Sequence, residues 1–216
     1  MEFTLTVAFC PGVSQTLVGA CRACRQGGKS QVPCGTHATA EVMSNRLLTI
    51  VSGPIDSGKT SWCRELAAAN PGCAGVLLIK VYLHGERIGY DALRLPVGDR
   101  IPFARVWEHE PSDWIAGEKV GLFSISADGL QAANDWLSEA AAQPAAIIID
   151  EVGPLELAGG GFSPGLRAVL ASPQQQKLYV VIRSDCLEAA CRRFGFSGYE
   201  LVDVGAGPGK ADPGKA

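Results

Sequence analysis

The chain carries little excess charge of either sign: 19 Lys and Arg stand against 22 Asp and Glu, for a formal net charge of −3. Without a basic surplus there is no electrostatic footprint for nucleic acid, so none is expected as a partner. Long apolar runs are missing too. A Lys, Arg or Asp interrupts every hydrophobic stretch before it reaches the length of a membrane span, so no membrane partner is expected. Methionine is scarce, and Met43 is the only one besides Met1. What is present suffices for a core. With 47% hydrophobic residues over 216 positions, the length suits one α/β domain with small appendages.

The most informative stretch is Gly53-Pro54-Ile55-Asp56-Ser57-Gly58-Lys59-Thr60, which spells G-x-x-x-x-G-K-T. It follows the apolar run Leu47 to Val51, read as a buried parallel strand, and precedes Ser61 to Ala69, read as a helix. That context is the one a phosphate-binding loop requires, because backbone N–H groups and the positive helix end then converge on a polyphosphate. Residues 53–61 are the expected nucleotide contacts. Lys59 would reach the β- and γ-phosphates, and the Thr60 hydroxyl would help hold Mg²⁺.

Eight cysteines are distributed unevenly, with Cys10, Cys21, Cys24 and Cys34 all ahead of residue 43. Use of cellular nucleotide points to the cytoplasm, where disulfides are rare. Cys63 and Cys191 therefore read as small apolar residues on helices. The spacing Cys21-x-x-Cys24, then Cys34-x-x-His37, suits a small Cys₃His zinc site, making Zn²⁺ a candidate ligand of residues 1–42. Cys21 behind Val18-Gly19-Ala20 could also be a lipoprotein cysteine, but Glu2 stands where a basic leader segment would begin. A third reading makes this segment a disordered or over-extended start, since Met43-Ser44-Asn45-Arg46 looks like an ordinary beginning. The chain thus divides into residues 1–42, a nucleotide domain over 43–204, and a tail over 205–216 that reads as disordered.

Within the domain, residues 75–81 and 87–93 alternate on either side of a turn at His84-Gly85-Glu86, which predicts an antiparallel hairpin. Residues 96–121 show no lasting period and read as loops and short strands covering the nucleotide. Asp128 to Ala142 predicts an amphipathic helix capped by Ser126 or Asp128. Ser163-Pro164 opens another helix through Leu170, and Ser184 would cap a third over 185–194. Strands are expected at 145–149, 177–182 and 199–204. The alternation predicts an α/β doubly wound, mostly parallel sheet flanked by helices.

The strand Ile147-Ile148-Ile149 ends in Asp150-Glu151. A buried strand ending in a carboxylate sets Asp150 at the carboxyl edge of the sheet, where it can hold Mg²⁺ opposite Thr60. Strand alternation turns the Glu151 side chain the other way, to orient and deprotonate a water for attack on the γ-phosphate. Phosphoryl transfer needs further positive charge. Arg183, directly after the strand at 177–182, has the best placement, with Arg87 and Arg105 as alternatives.

These blocks together resemble the thermophilic-type, or cancer-related, nucleoside triphosphatases. GPIDSGKT resembles that family's phosphate loop, GERIGYDALRL and DRIPFAR its R-x-G-F-D hairpin and Pro-Leu-Ala-Arg segment, and IIIDEVGPLEL its I-D-E-I-G-x-M-E-L signature. The resemblance covers about residues 47–204. It implies a RecA-like P-loop domain hydrolysing ATP, GTP and other nucleoside triphosphates with Mg²⁺. Carried over by position, Gly53 to Thr60 bind phosphates, and Asp150 and Glu151 serve metal and water. Departures are Asp56, where the family usually has a small neutral residue, Arg183-Ser184-Asp185 in place of a Thr-His-Arg-like step, and the run Gly159-Gly160-Gly161. Unless it turns to solvent or meets the metal, Asp56 should weaken nucleotide binding.

Two other functions fit the same loop. A small-molecule or nucleotide kinase would bring an arginine-rich lid, and no compact segment holds several arginines. A nucleotide-switched binding or assembly factor, with slow hydrolysis as a timer, would make use of Cys21, Cys24, Cys34 and His37.

Overall fold

A computed structural model of the chain describes residues 5–7, 47–174 and 176–205. Ten strands form one sheet: β1 (Leu5–Val7), β2 (Leu48–Gly53), β3 (Ala74–Leu83), β4 (Glu86–Leu95), β5 (Arg100–Val106), β6 (Ala116–Val120), β7 (Phe123–Ser126), β8 (Ile147–Val152), β9 (Leu178–Arg183) and β10 (Glu200–Asp203). The helices are α1 (Lys59–Ala69), α2 (Ala127–Ala141), α3 (Pro154–Ala158), α4 (Ser163–Ala171) and α5 (Leu187–Phe194). The strand order is β1-β10-β2-β9-β8-β3-β4-β5-β7-β6. Strands β10, β2, β9, β8 and β3 run parallel, and everything from β4 outward is antiparallel.

The parallel half explains the continuous apolar runs. On β8, Ile147 and Ile149 join the core beneath α2, α4 and α5, whereas Ile148 joins the core beneath α1. All three are fully buried, because a parallel strand covered on both faces has no polar side to offer. Cys63 of α1 and Cys191 of α5 are buried among apolar neighbours, as small hydrophobes.

The β3–β4 hairpin turns through His84 and Gly85, with φ of 51° and 84°. Two positive φ values make the tight turn whose twist matches paired strands. Its base is buried and its tip is exposed. Residues 96–121 form short strands and loops, as expected. β5 extends the sheet with Phe103, Ala104 and Arg105 all buried, so tertiary pairing with β4 and β7 overrides the weak local pattern.

Of the two expected caps, one is made and one is not. Ser126 does cap α2, accepting a hydrogen bond from the Gly129 N–H at 3.0 Å. Ser184 caps nothing; it starts a 3₁₀ turn over Ser184–Cys186, and α5 begins only at Leu187. The turn lets the chain leave β9 before the helix axis is set. Cys21, Cys24, Cys34, His37 and residues 206–216 lie outside the described residues.

Candidate active site

The phosphate loop leaves β2 at Gly53 and enters α1 at Lys59. A Cβ on Gly53 would stand 2.3 Å from the Val204 carbonyl oxygen and 2.6 Å from Ser57 Oγ, so only glycine lets the loop close there. Gly58 takes φ 96°, and no side chain caps α1. The first turn of α1 carries no acidic residue, so its N–H groups and positive end favour an anion. Lys59 Nζ reaches back across the loop to the carbonyls of Gly53 at 3.0 Å and Pro54 at 2.5 Å. Burial lowers its pKa, opposed by the nearby charges of Glu151, Asp150 and Asp56. The Ser57 hydroxyl is buried without a hydrogen-bond partner among the described residues. A buried polar atom in a loop of this shape calls for a ligand that can satisfy it. Ser61 is exposed on the same first turn, and Ile55 is exposed at the loop's front.

Asp150 sits on β8, only 2% exposed. Its Oδ2 accepts the Leu78 N–H at 3.0 Å, and the Thr60 hydroxyl donates to the same carboxylate. Burial pushes its pKa up to about 7 despite those donors and Lys59. A buried carboxyl beside a hydroxyl, facing a phosphate loop, is a hard-oxygen pair that suits Mg²⁺, with substrate oxygens and water completing six ligands. The residues present therefore fit the metal.

At Glu151 the strand is not regular. Ile149 pairs with Val180 but Val152 pairs with Ile182, so β8 carries one extra residue at Asp150-Glu151. The extra residue is a bulge, and Glu151 adopts φ 86°. Its direction is set by this kink and not by simple strand alternation. The side chain is open to solvent. The surrounding protein raises its pKa, against the pull of Lys59, Arg183 and Arg87.

The three arginine candidates part company. The Arg183 guanidinium is paired with Asp185, beside a cleft of about 360 Å³ lined by Gly53, Pro54, Ile55, Arg183, Ser184 and Asp185. Arg87 Nη1 lies 3.2 Å from Asp56 Oδ1. Arg105 is 8% exposed and bonded to the Tyr90 carbonyl at 2.7 Å and Asp91 at 2.6 Å, which commits it to the β4–β5 pairing.

Asp56 is neutralised within the protein. Lys80 Nζ stands 2.8 Å from its Oδ1, on the opposite side of the hairpin from Arg87. Those cations, Lys80 first, hold its carboxyl below the usual carboxylate range. Lys80 was missed in the sequence because it lies inside an apolar strand with no motif around it. Glu156 was missed too, although its signal was present. It stands three residues after Gly153, at N3 of α3, and its carboxylate caps the helix start, accepting the Gly153 N–H at 2.8 Å and the Phe162 N–H at 3.0 Å. That bond pair anchors the turn that follows Glu151. Among the described residues no group of three His, Cys, Asp or Glu is gathered for a metal.

A sequence model of the family described as NTPase matches residues 48–204. The chain is 28% identical over 122 residues to the nucleoside-triphosphatase THEP1 of Methanopyrus kandleri, covering 55% of this chain and 64% of that protein. It is 33% identical over 124 residues to the protein of the same name from Pyrobaculum aerophilum, covering 56% and 65%. The chain thus spans just under two thirds of the length of these relatives. The crystal structure of THEP1 from Aquifex aeolicus superposes with a TM-score of 0.56 at 18% identity, over 74% of this chain and 90% of that one. The solution structure of a human cancer-related nucleoside triphosphatase gives 0.53 at 22%, over 73% and 88%. These two likenesses establish the P-loop α/β fold.

Proposed function

The chain belongs to the NTPase family, and from that membership and its cleft we propose a Mg²⁺-dependent nucleoside triphosphatase, hydrolysing ATP, GTP and other nucleoside triphosphates to diphosphate and phosphate. The relatives named nucleoside-triphosphatase support the reaction. The observation that carries it is the convergence of Lys59, Thr60, Asp150 and Glu151 between the ends of β2 and β8.

The loop from Gly53 to Gly58 wraps the β-phosphate with backbone N–H groups. Lys59 exchanges the carbonyls of Gly53 and Pro54 for phosphate oxygens. Thr60 and Asp150 would hold Mg²⁺, which would supply positive charge to the phosphate oxygens. Glu151 accepts a proton from a water as the bond from its oxygen to γ-phosphorus forms and the bond from γ-phosphorus to the β-bridging oxygen breaks. Its raised pKa makes it a better base than an ordinary glutamate once it is ionised. Arg183, at the cleft beside the loop, neutralises the outgoing γ-phosphate. Tolerance of different bases follows from a site built on phosphate contacts. A cytoplasmic workplace follows from the substrate, and Cys63, Cys73, Cys186 and Cys191 form no disulfide. No helix among the described residues is long and apolar enough to cross a membrane.

Glu151→Gln tests the assignment. We expect it to bind nucleotide as the parent does and to lose turnover by about 10²- to 10⁴-fold. Unchanged release of phosphate would remove Glu151 from the mechanism.

A further inference from the structure

Asp56 is an anion inside a loop built for anions. It adopts φ 61°, a backbone region that Asp tolerates better than most residues with a Cβ. Its carboxylate is bracketed by Lys80 at 2.8 Å and Arg87 at 3.2 and 3.4 Å, one from each strand of the β3–β4 hairpin. Both cations are about a third exposed, so they can change partners without leaving a buried charge behind. Arg87 also packs 5.5 Å from the Tyr90 ring centroid, which holds its guanidinium against the ring. From there its charge reaches Glu151. The hairpin cations, the phosphate loop and the general base thus share one electrostatic neighbourhood, and Asp56 is its resident counter-ion.

We propose that Asp56 is a positioning residue acting through Lys80 and Arg87: its carboxylate holds both cations as an internal stand-in for the terminal phosphate, and a nucleoside triphosphate takes them over. The inference rests on the proposed hydrolase function. A γ-phosphate carries more charge than one carboxylate and presents more acceptor oxygens, so it wins the two cations. A diphosphate, held by the loop and Lys59, has no group at that point and leaves the pairs intact. When phosphate departs, Asp56 recaptures Lys80 and Arg87, which favours release of the diphosphate. Asp56 thereby separates substrate from product, although neither its own atoms nor its bonds enter the reaction.

Calorimetric titration of the full chain with Mg²⁺ and adenylyl imidodiphosphate, and separately with ADP, tests this. In Asp56→Asn, which keeps tolerance of the left-handed backbone, we expect the triphosphate analogue to bind roughly fivefold tighter and ADP to change by less than about twofold. In a Lys80→Gln/Arg87→Gln background the same substitution should lose its selectivity. Asp56→Gly, which also suits φ 61°, serves if the Asn variant unfolds early, and should give the same ratio. Equal gains for both nucleotides, or an undiminished gain in the cation-free background, would show direct repulsion and overturn the proposal. Absence of nucleotide binding in the parent and in every variant would overturn the hydrolase function itself, and this inference with it.

Discussion

Glu151 offers the sharpest prediction, because its backbone works against the fold. At φ 86° it occupies a region that costs a residue with a Cβ about 1–2 kcal/mol. Replacing it with glycine removes that strain, while the glycine loses roughly 0.5–1 kcal/mol through its greater freedom in the unfolded chain. The expected balance is a gain of about 0.5–1 kcal/mol, which for a domain of this size raises Tm by about 1–4 °C. Hydrolysis should fall about 10²- to 10⁴-fold in the same variant. Differential scanning fluorimetry and a phosphate-release assay on one preparation read both quantities. A Glu151→Gly protein that melts several degrees below its parent would refute the strain reasoning, whatever its activity. Under the proposed mechanism, the bulge would be strain kept for the sake of a positioned base.

Three further outcomes follow from single contacts. Ser57→Ala deletes a buried hydroxyl that has no partner among the described residues. It should leave the Tm of the nucleotide-free protein unchanged within about 1 °C and weaken nucleotide binding roughly fivefold by titration. Gly53→Ala sets a methyl group 2.3 Å from the Val204 carbonyl oxygen; we expect a loss of about 1–3 kcal/mol in urea unfolding and a disrupted loop. Glu156→Gln must turn an amide N–H₂ toward either the Gly153 or the Phe162 N–H, a buried donor facing a donor, at about 1–3 kcal/mol. Burial raises Glu156 from 4.5 to about 7, so its contribution is complete below about pH 4.5 and is lost as pH rises through about 7. Asp150 shifts in the same direction, while the lowered carboxyls of Asp56 and Asp185 titrate below this window. Urea midpoints of the nucleotide- and metal-free protein should therefore decline between pH 5 and 8, and a flat profile would contradict the burial of both groups.

Local signals in the sequence determined the phosphate loop, the strand ahead of it and the acidic end of β8. Each is written in contiguous residues: glycines where the backbone must close, Lys59-Thr60 at the helix start, and an isoleucine run buried on both faces. The predicted hairpin and the Ser126 cap were legible for the same reason. Features that depend on residues far apart were not. The extra residue at Asp150-Glu151 is visible only when β8 is paired with β9, so Glu151's backbone could not be read from alternation. Arg105 looked as available as Arg87 until β4 and β5 paired and Asp91 claimed it. Asp56 looked like a defect in the loop because its counter-ions lie more than twenty positions away, on a hairpin that folds back over it. Chain-local chemistry, which needs only neighbours and periodicity, was settled by the sequence. Which charges meet across the cleft was decided by the tertiary structure, because Coulomb's law acts on distance in space and not on separation along the chain.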